Sequence, residues 1–176
     1  MRLFSEPLRI DDRLTLPRRA FLSPLQGVTT TPFLQAANEL GLVDFWMTPF
    51  YSVGASSIPS RGALRRWLAP YRKAGAPVIA QLLGHEPGPL AEAARLLADC
   101  GAEGVNLNFA CPSKTVLRSG NGGACLRDES LALRITEAVA AVPGVSLSLK
   151  LRSGWDAPDG LASRVRRFCS AGAKMI

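Results

Sequence analysis

Asn106-Leu107-Asn108-Phe109-Ala110-Cys111-Pro112-Ser113-Lys114-Thr115-Val116 is the stretch around which the rest of the sequence orders itself. It reads as the end of a buried strand, Gly104 to Asn108, followed at once by a thiol on a proline-stiffened loop. Asparagine amides at the end of an apolar strand cost free energy unless they find partners. In a parallel α/β protein the carboxyl end of a strand is also where ligands bind and chemistry is done. Taken alone, the stretch fits an ordinary loop cysteine equally well. The cluster that follows, Ser119-Gly120-Asn121-Gly122-Gly123-Ala124, moves the reading towards a site, because glycines let backbone approach a ligand closely.

Working outward, Leu8–Leu16 reads as a short hairpin turning at Asp11-Asp12. An apolar strand is predicted at about Ala20–Leu25, then a helix entered through Thr31-Pro32. A second strand runs through Phe45-Trp46-Met47-Thr48, and Ser52–Arg61 is a small-residue loop before a short helix at Leu64–Ala69. Val78–Leu83 is a third strand, leading to an alanine-rich helix, Pro89–Cys100, that Gly101 stops. After the asparagine strand come a helix at Asp128–Ala140, a fifth strand at Ser146–Leu151, a helix at Gly160–Ala171, and the beginning of a sixth strand at Lys174-Met175-Ile176.

Strands alternating with helices in this way form a parallel sheet with helices outside. No G-x-G-x-x-G follows the first strand, so the fingerprint of an open dinucleotide-binding sheet is missing. Polar residues recur instead at the carboxyl ends of different strands: Gln81, Asn108 with Cys111, and Lys150 with Arg152. That is how a barrel assembles a site. The expected fold is α/β, a (β/α)8 TIM barrel that is incomplete, with about five strands and the start of a sixth.

The chain has 176 residues, 47% hydrophobic and 20% charged, enough for one real core. No apolar run is long enough to cross a membrane, and the first residues lack the apolar segment of a secretion signal. Cys100, Cys111, Cys125 and Cys169 form no C-x-x-C pair and His85 is the one histidine, which argues against a zinc site and for a reducing, cytoplasmic setting. Cys100, Cys125 and Cys169 read as packing residues, and His85 as a loop histidine near the mouth. The net charge of +7 permits a polyanionic partner without demanding one.

Ser23-Pro24-Leu25-Gln26-Gly27-Val28-Thr29 resembles the opening block of the tRNA-dihydrouridine synthases. Gln81-Leu82-Leu83-Gly84, the Asn106–Val116 stretch, Gly122-Gly123-Ala124 and Lys150-Leu151-Arg152-Ser153-Gly154-Trp155-Asp156 resemble that family's later blocks in order and spacing. Cys-Pro-Ser-Lys-Thr-Val and Gly-Trp-Asp resemble the bacterial C-type branch. Departures include Ala110 where glycine is usual, Leu117 where asparagine is common, and Pro49 after Thr48 in place of a Thr-Glu pair.

The resemblance implies an FMN enzyme that reduces the C5–C6 double bond of a tRNA uridine with electrons from NADPH, with tRNA as partner and no membrane or metal. It implies that Pro24, Leu25 and Gln26 border the isoalloxazine, that Gln81 bonds the flavin edge and that Lys150 contacts its pyrimidine side. It also implies that Asn108 and Arg152 hold the substrate and that Cys111 acts as the acid, protonating C5. An ordinary thiol titrates above neutrality and so carries the needed proton. On this resemblance residues 1–176 are the N-terminal portion of a catalytic barrel. The later strands and a helical tRNA-binding domain are expected to be absent, and the chain inactive alone. Another FMN barrel acting on a free pyrimidine, like dihydroorotate dehydrogenase, and a non-catalytic fragment are the alternatives.

Overall fold

The alternating pattern becomes, in a computed structural model of the chain, one parallel sheet backed by helices. The structure describes residues 6–17, 21–73 and 76–176. A short antiparallel hairpin comes first, β1 (Leu8–Arg9) and β2 (Thr15–Leu16). Asp11 closes its turn, with Oδ1 accepting the N–H groups of Arg13 and Leu14 at 2.9 Å each. Then follow α1 (Thr31–Glu39), β3 (Trp46–Met47), β4 (Tyr51–Ser52), α2 (Arg61–Lys73), β5 (Val78–Leu83), α3 (Pro87–Asp99) and β6 (Gly104–Phe109). The chain goes on through α4 (Lys114–Arg118), a 3-10 helix at Gly122–Arg127, α5 (Glu129–Ala140), β7 (Leu147–Leu151) and α6 (Leu161–Ser170).

The sheet order is β3-β5-β6-β7, all parallel, and β4 pairs with β5 as well. β3 and β4 are two halves of one strand along the same edge of β5. Pro49 has no N–H to donate and breaks the ladder between them. At the break the Gln81 N–H turns to the Thr48 hydroxyl, 3.0 Å away. Beyond β7, Met175 forms a parallel bridge with Ser148, so the sixth strand does begin where the sequence predicts. The sheet curls into a half-barrel, the α/β fold expected as an incomplete TIM barrel.

Side chains alternate between two faces. Trp46, Val78, Ala80, Leu82, Val105, Leu107 and Phe109 face the helices and form the main core with Leu64, Leu68, Leu90 and Ile135. Facing inward, Phe45, Met47 and Ile79 meet Leu14 and Leu16 of the hairpin in a second, smaller core. The hairpin therefore plugs the interior at the amino ends of the strands. Further along the same inward face, Gln81, Asn106, Asn108 and Ser148 are all buried.

Four expectations are corrected. Ala20 lies outside the described residues, and Phe21–Leu25 forms no strand. Pro24 removes a ladder donor there, and the Phe21 ring instead packs on Phe45 at a centroid distance of 4.8 Å. The helix predicted at Leu64–Ala69 extends over Arg61–Lys73, because Leu64, Leu68 and Tyr71 recur at helical spacing and all are buried. The Ser52–Arg61 and Ser119–Ala124 loops contain the start of α2 and a turn of 3-10 helix. Cys169, expected to pack, is exposed, since α6 buries Phe168 but not its neighbour. No helix among the described residues is long and apolar enough to cross a membrane.

Burial opposes the charge on Asp11, but the Arg13 and Leu14 N–H groups hold its carboxyl below the ordinary range. A lowered carboxyl pKa stabilises above the unfolded value of about 3.9 and loses that contribution as pH falls through the folded value. Asp11→Ala should therefore cost about 1 kcal/mol at neutral pH, allowing for solvent screening of a half-exposed carboxylate. Urea titrations at neutral pH and near pH 3 should show the gap to the parent narrowing; an equal gap at both would remove the carboxylate from the account of the turn.

Candidate active site

The inward polar side chains of β5, β6 and β7 satisfy one another. Asn108 Nδ2 donates to Gln81 Oε1 at 2.9 Å, and Gln81 Nε2 donates to Asn106 Oδ1 at 2.8 Å. Asn106 Nδ2 donates to Ser148 Oγ at 2.9 Å, and that hydroxyl donates to the Val105 carbonyl at 3.2 Å. Gln81, Asn106, Asn108 and Ser148 are each no more than 7% exposed, so these bonds replace water. Asn108 Oδ1 also accepts two backbone N–H groups, from Ala110 at 3.0 Å and Cys111 at 2.9 Å. The side chain at the end of β6 thus bends the chain that carries Cys111.

Cys111 is half-buried on that bend. Its carbonyl accepts the Gly123 N–H at 3.1 Å. Gly122 has φ +60°, and a Cβ there would stand 2.9 Å from both Cys111 Cβ and Val116 Cγ1. Within the chain, Gly122 and Gly123 lie against the cysteine's own loop. The segment is tied further by the Asn121 side chain, whose Oδ1 lies 2.7 Å from His85 Nδ1. His85 is accordingly half-buried and paired, joining the loop after β5 to the loop after β6.

A cleft of about 500 Å³ runs along the edge of β7, lined by Phe21, Pro24, Met47, Asn106, Lys150 and Arg152 on the inward side and by Leu149, Leu161 and Val165 on the helix side. Its size falls within the usual range for small-molecule sites, roughly 300–1,000 Å³. Mostly apolar walls with an amide, an ammonium and a guanidinium suit a flat heteroaromatic ring. Lys150 is opposite Asn108 in the ladder, and Arg152 is two residues on, with Cδ 3.1 Å from where a Cβ on Gly123 would be.

The expected site residues are thus partly gathered. Pro24, Lys150 and Arg152 share the cleft. Gln81 and Asn108 stand behind it, reaching it through the Gln81–Asn106 bond. Cys111 sits on the loop above them. Leu25 is 43% exposed, and Gln26 lines a separate cleft of about 350 Å³ with Trp67 and Tyr71. Asn106 and Ser148 were not among the expected residues. The signal for them was spacing: each lies two residues before a chosen one, Asn108 and Lys150, and so on the same face.

Comparison with known proteins adds three findings. A family profile described as "Dihydrouridine synthase (Dus)" matches residues 21–176. A Rhodobacter capsulatus protein named "Probable tRNA-dihydrouridine synthase" is 35% identical over 168 residues, covering 94% of this chain and 51% of that protein. The tRNA-dihydrouridine(16) synthase of Haemophilus influenzae is 38% identical over 146 residues, 78% of this chain and 46% of its own length. The chain spans about half the length of these relatives. Among solved structures, a variant of NCR from Zymomonas mobilis superposes with a TM-score of 0.64 at 17% identity, over 99% of this chain and 69% of that one. The old yellow enzyme homologue from the same organism gives 0.62 at 15% identity, over 98% and 72%.

Gly122→Ala should destabilise the protein by about 2 kcal/mol or more, from left-handed strain plus the clash with Cys111. Gly144, at φ +83° with nothing within 4 Å of a Cβ, provides the comparison, since Gly144→Ala carries the strain alone. Equal losses in chemical denaturation would show that Gly122 does not press on the cysteine loop. Burial pushes the Cys125 thiol up to about 11. Under native conditions at neutral pH, iodoacetamide should label exposed Cys169 and leave Cys125 unmodified, as read by peptide mass.

Proposed function

This chain belongs to the dihydrouridine synthase family, and from that premise we propose that it serves the FMN-dependent reduction of the C5–C6 double bond of a tRNA uridine, with NADPH as the source of hydride. When bound, the flavin supplies the hydride chemistry. The chain's own residues bind, orient and protonate. Pro24 and Phe21 wall the cleft in which the ring lies, with Leu25 and Gln26 following on the same turn. Lys150 contributes a cation that favours negative charge on the pyrimidine side of the ring. Gln81 acts on the flavin edge through Asn106, which lines the cleft and is held by the Gln81 amide. Asn108 and Arg152 hold the uracil, and Cys111 gives its thiol proton to C5. A tRNA base reaches such a site only outside its stack, which a thiol on a loop at the open end of the strands suits. A tRNA substrate and free thiols fit the cytoplasm.

The observation that carries this reading is the double acceptance by Asn108 Oδ1, which fixes Cys111 at the carboxyl end of β6 directly above the amide network. A cysteine there is held as a reacting group is held, by a buried side chain with satisfied partners of its own.

In a protein that carries these residues together with the later barrel strands, Cys111→Ala should lower the single-turnover rate of dihydrouridine formation in tRNA by about 10²–10⁴, the usual worth of a general acid. Flavin absorbance and the rate at which NADPH bleaches it should be unchanged. An unaltered rate of tRNA reduction would remove Cys111 from the chemistry.

A further inference from the structure

Lys114 and Arg118 stand one turn apart on α4, and Arg127 ends the 3-10 helix packed beside it. Together with Leu117 they line a cleft of about 290 Å³. All three cations are exposed, and among the described residues none of them takes part in an ion pair. The acidic residues next in the chain are committed elsewhere. Asp128 caps α5 through the Leu131 N–H at 3.0 Å, and Glu129 pairs with Arg164 at 3.3 Å and Arg167 at 2.6 Å. Like charges four apart on a helix repel, and a third cation facing them adds to that cost. Arg127 is meanwhile held in place, its guanidinium 4.0 Å from the centroid of the Trp155 ring, by a contact that leaves its N–H donors free.

The same segments build the cysteine loop. Gly122, at the head of the 3-10 helix, lies against Cys111, and Gly123 donates to the Cys111 carbonyl. Whatever binds the cationic cleft is therefore placed by the frame that places the thiol.

The geometry points to a phosphate subsite: Lys114, Arg118 and Arg127 hold a backbone phosphodiester of the RNA strand whose uridine is presented to Cys111. This rests on the tRNA reading above. Guanidinium forks match phosphate oxygens in pairs, and a lysine adds a point charge. Such contacts set the position and register of a strand without reading its bases. They also offset the repulsion within the cluster, which no acidic group among the described residues does.

The test measures tRNA affinity by fluorescence anisotropy across a series of salt concentrations, for the purified protein and for Lys114→Ala, Arg118→Ala and Arg127→Ala. Arg134→Ala, the loss of an exposed arginine on α5, controls for net charge. Each cluster variant should bind several-fold more weakly, with the slope of log affinity against log salt reduced by about 1. Arg134→Ala should leave the slope unchanged. Flavin content and melting temperature report folding, and Lys114 and Arg118, on an exposed helix, keep the test open should Arg127→Ala unfold. A parent that binds tRNA while Lys114→Ala and Arg118→Ala match it, or match Arg134→Ala, overturns the subsite alone. A parent that retains flavin but binds no tRNA overturns the substrate reading and the subsite with it.

Discussion

Four buried polar side chains on the inward face of the half-barrel have no water to turn to, and their mutual satisfaction constrains the rest of the site. The donors run in one direction. Asn108 donates to Gln81, Gln81 to Asn106, Asn106 to Ser148, and Ser148 to the Val105 carbonyl. One end of the chain is a main-chain acceptor; at the other, the Asn108 oxygen accepts two main-chain N–H groups. Turning any one amide over would set donor against donor and leave buried groups unpaired, at about 1–3 kcal/mol each. The network crosses three strands, so it fixes both the register of β5, β6 and β7 and the bend that presents Cys111.

Such a network is tolerable only if the interior around it is closed on the other side. The hairpin does this. Leu14 and Leu16 cover Phe45, Met47 and Ile79 at the amino ends of the strands, leaving the polar layer above an apolar floor. The interior is thereby graded from a dry plug, through paired amides, to a mouth with Lys150 and Arg152. That order suits the proposed site, because each polar group is already oriented before anything binds.

The legible parts of the fold were those whose pattern is set locally. β5, β6 and β7 carry apolar residues at every second position and are bounded by turns, so their sequences read as buried strands despite the polar residues between. The strand predicted at Ala20–Leu25 looked similar, but Pro24 sits where a ladder donor is needed, and a run of apolar residues does not reveal which neighbour would accept it. α4 and the 3-10 helix were illegible for the opposite reason. They are short, and Gly122 and Gly123 take their shape from contact with Cys111 rather than from any propensity of their own. The site was legible as residue types at strand ends. Asn106 and Ser148 escaped because a polar residue inside a strand shows its purpose only when its cross-strand partner is known, and pairing is a tertiary fact.

The four cysteines show how much of reactivity is placement. Cys125 is buried, with Sγ 3.6 Å from the Gly84 carbonyl and 3.4 Å from that of Gly120, and its thiol is held protonated. Cys100 is half-buried with Sγ 3.6 Å from the Arg61 carbonyl, and Cys169 stands in solvent on α6. Cys111 differs from these in what holds its main chain, which is tertiary partners rather than a helix of its own. Its N–H is taken by Asn108 and its carbonyl by Gly123, while Gly122 leaves no room for the main chain to shift towards it. With both peptide groups fixed, the freedom left to the residue is rotation about its side-chain bond, which moves the sulfur and little else. For the proton donor proposed above, that combination serves the chemistry, a mobile last atom on an immobile base.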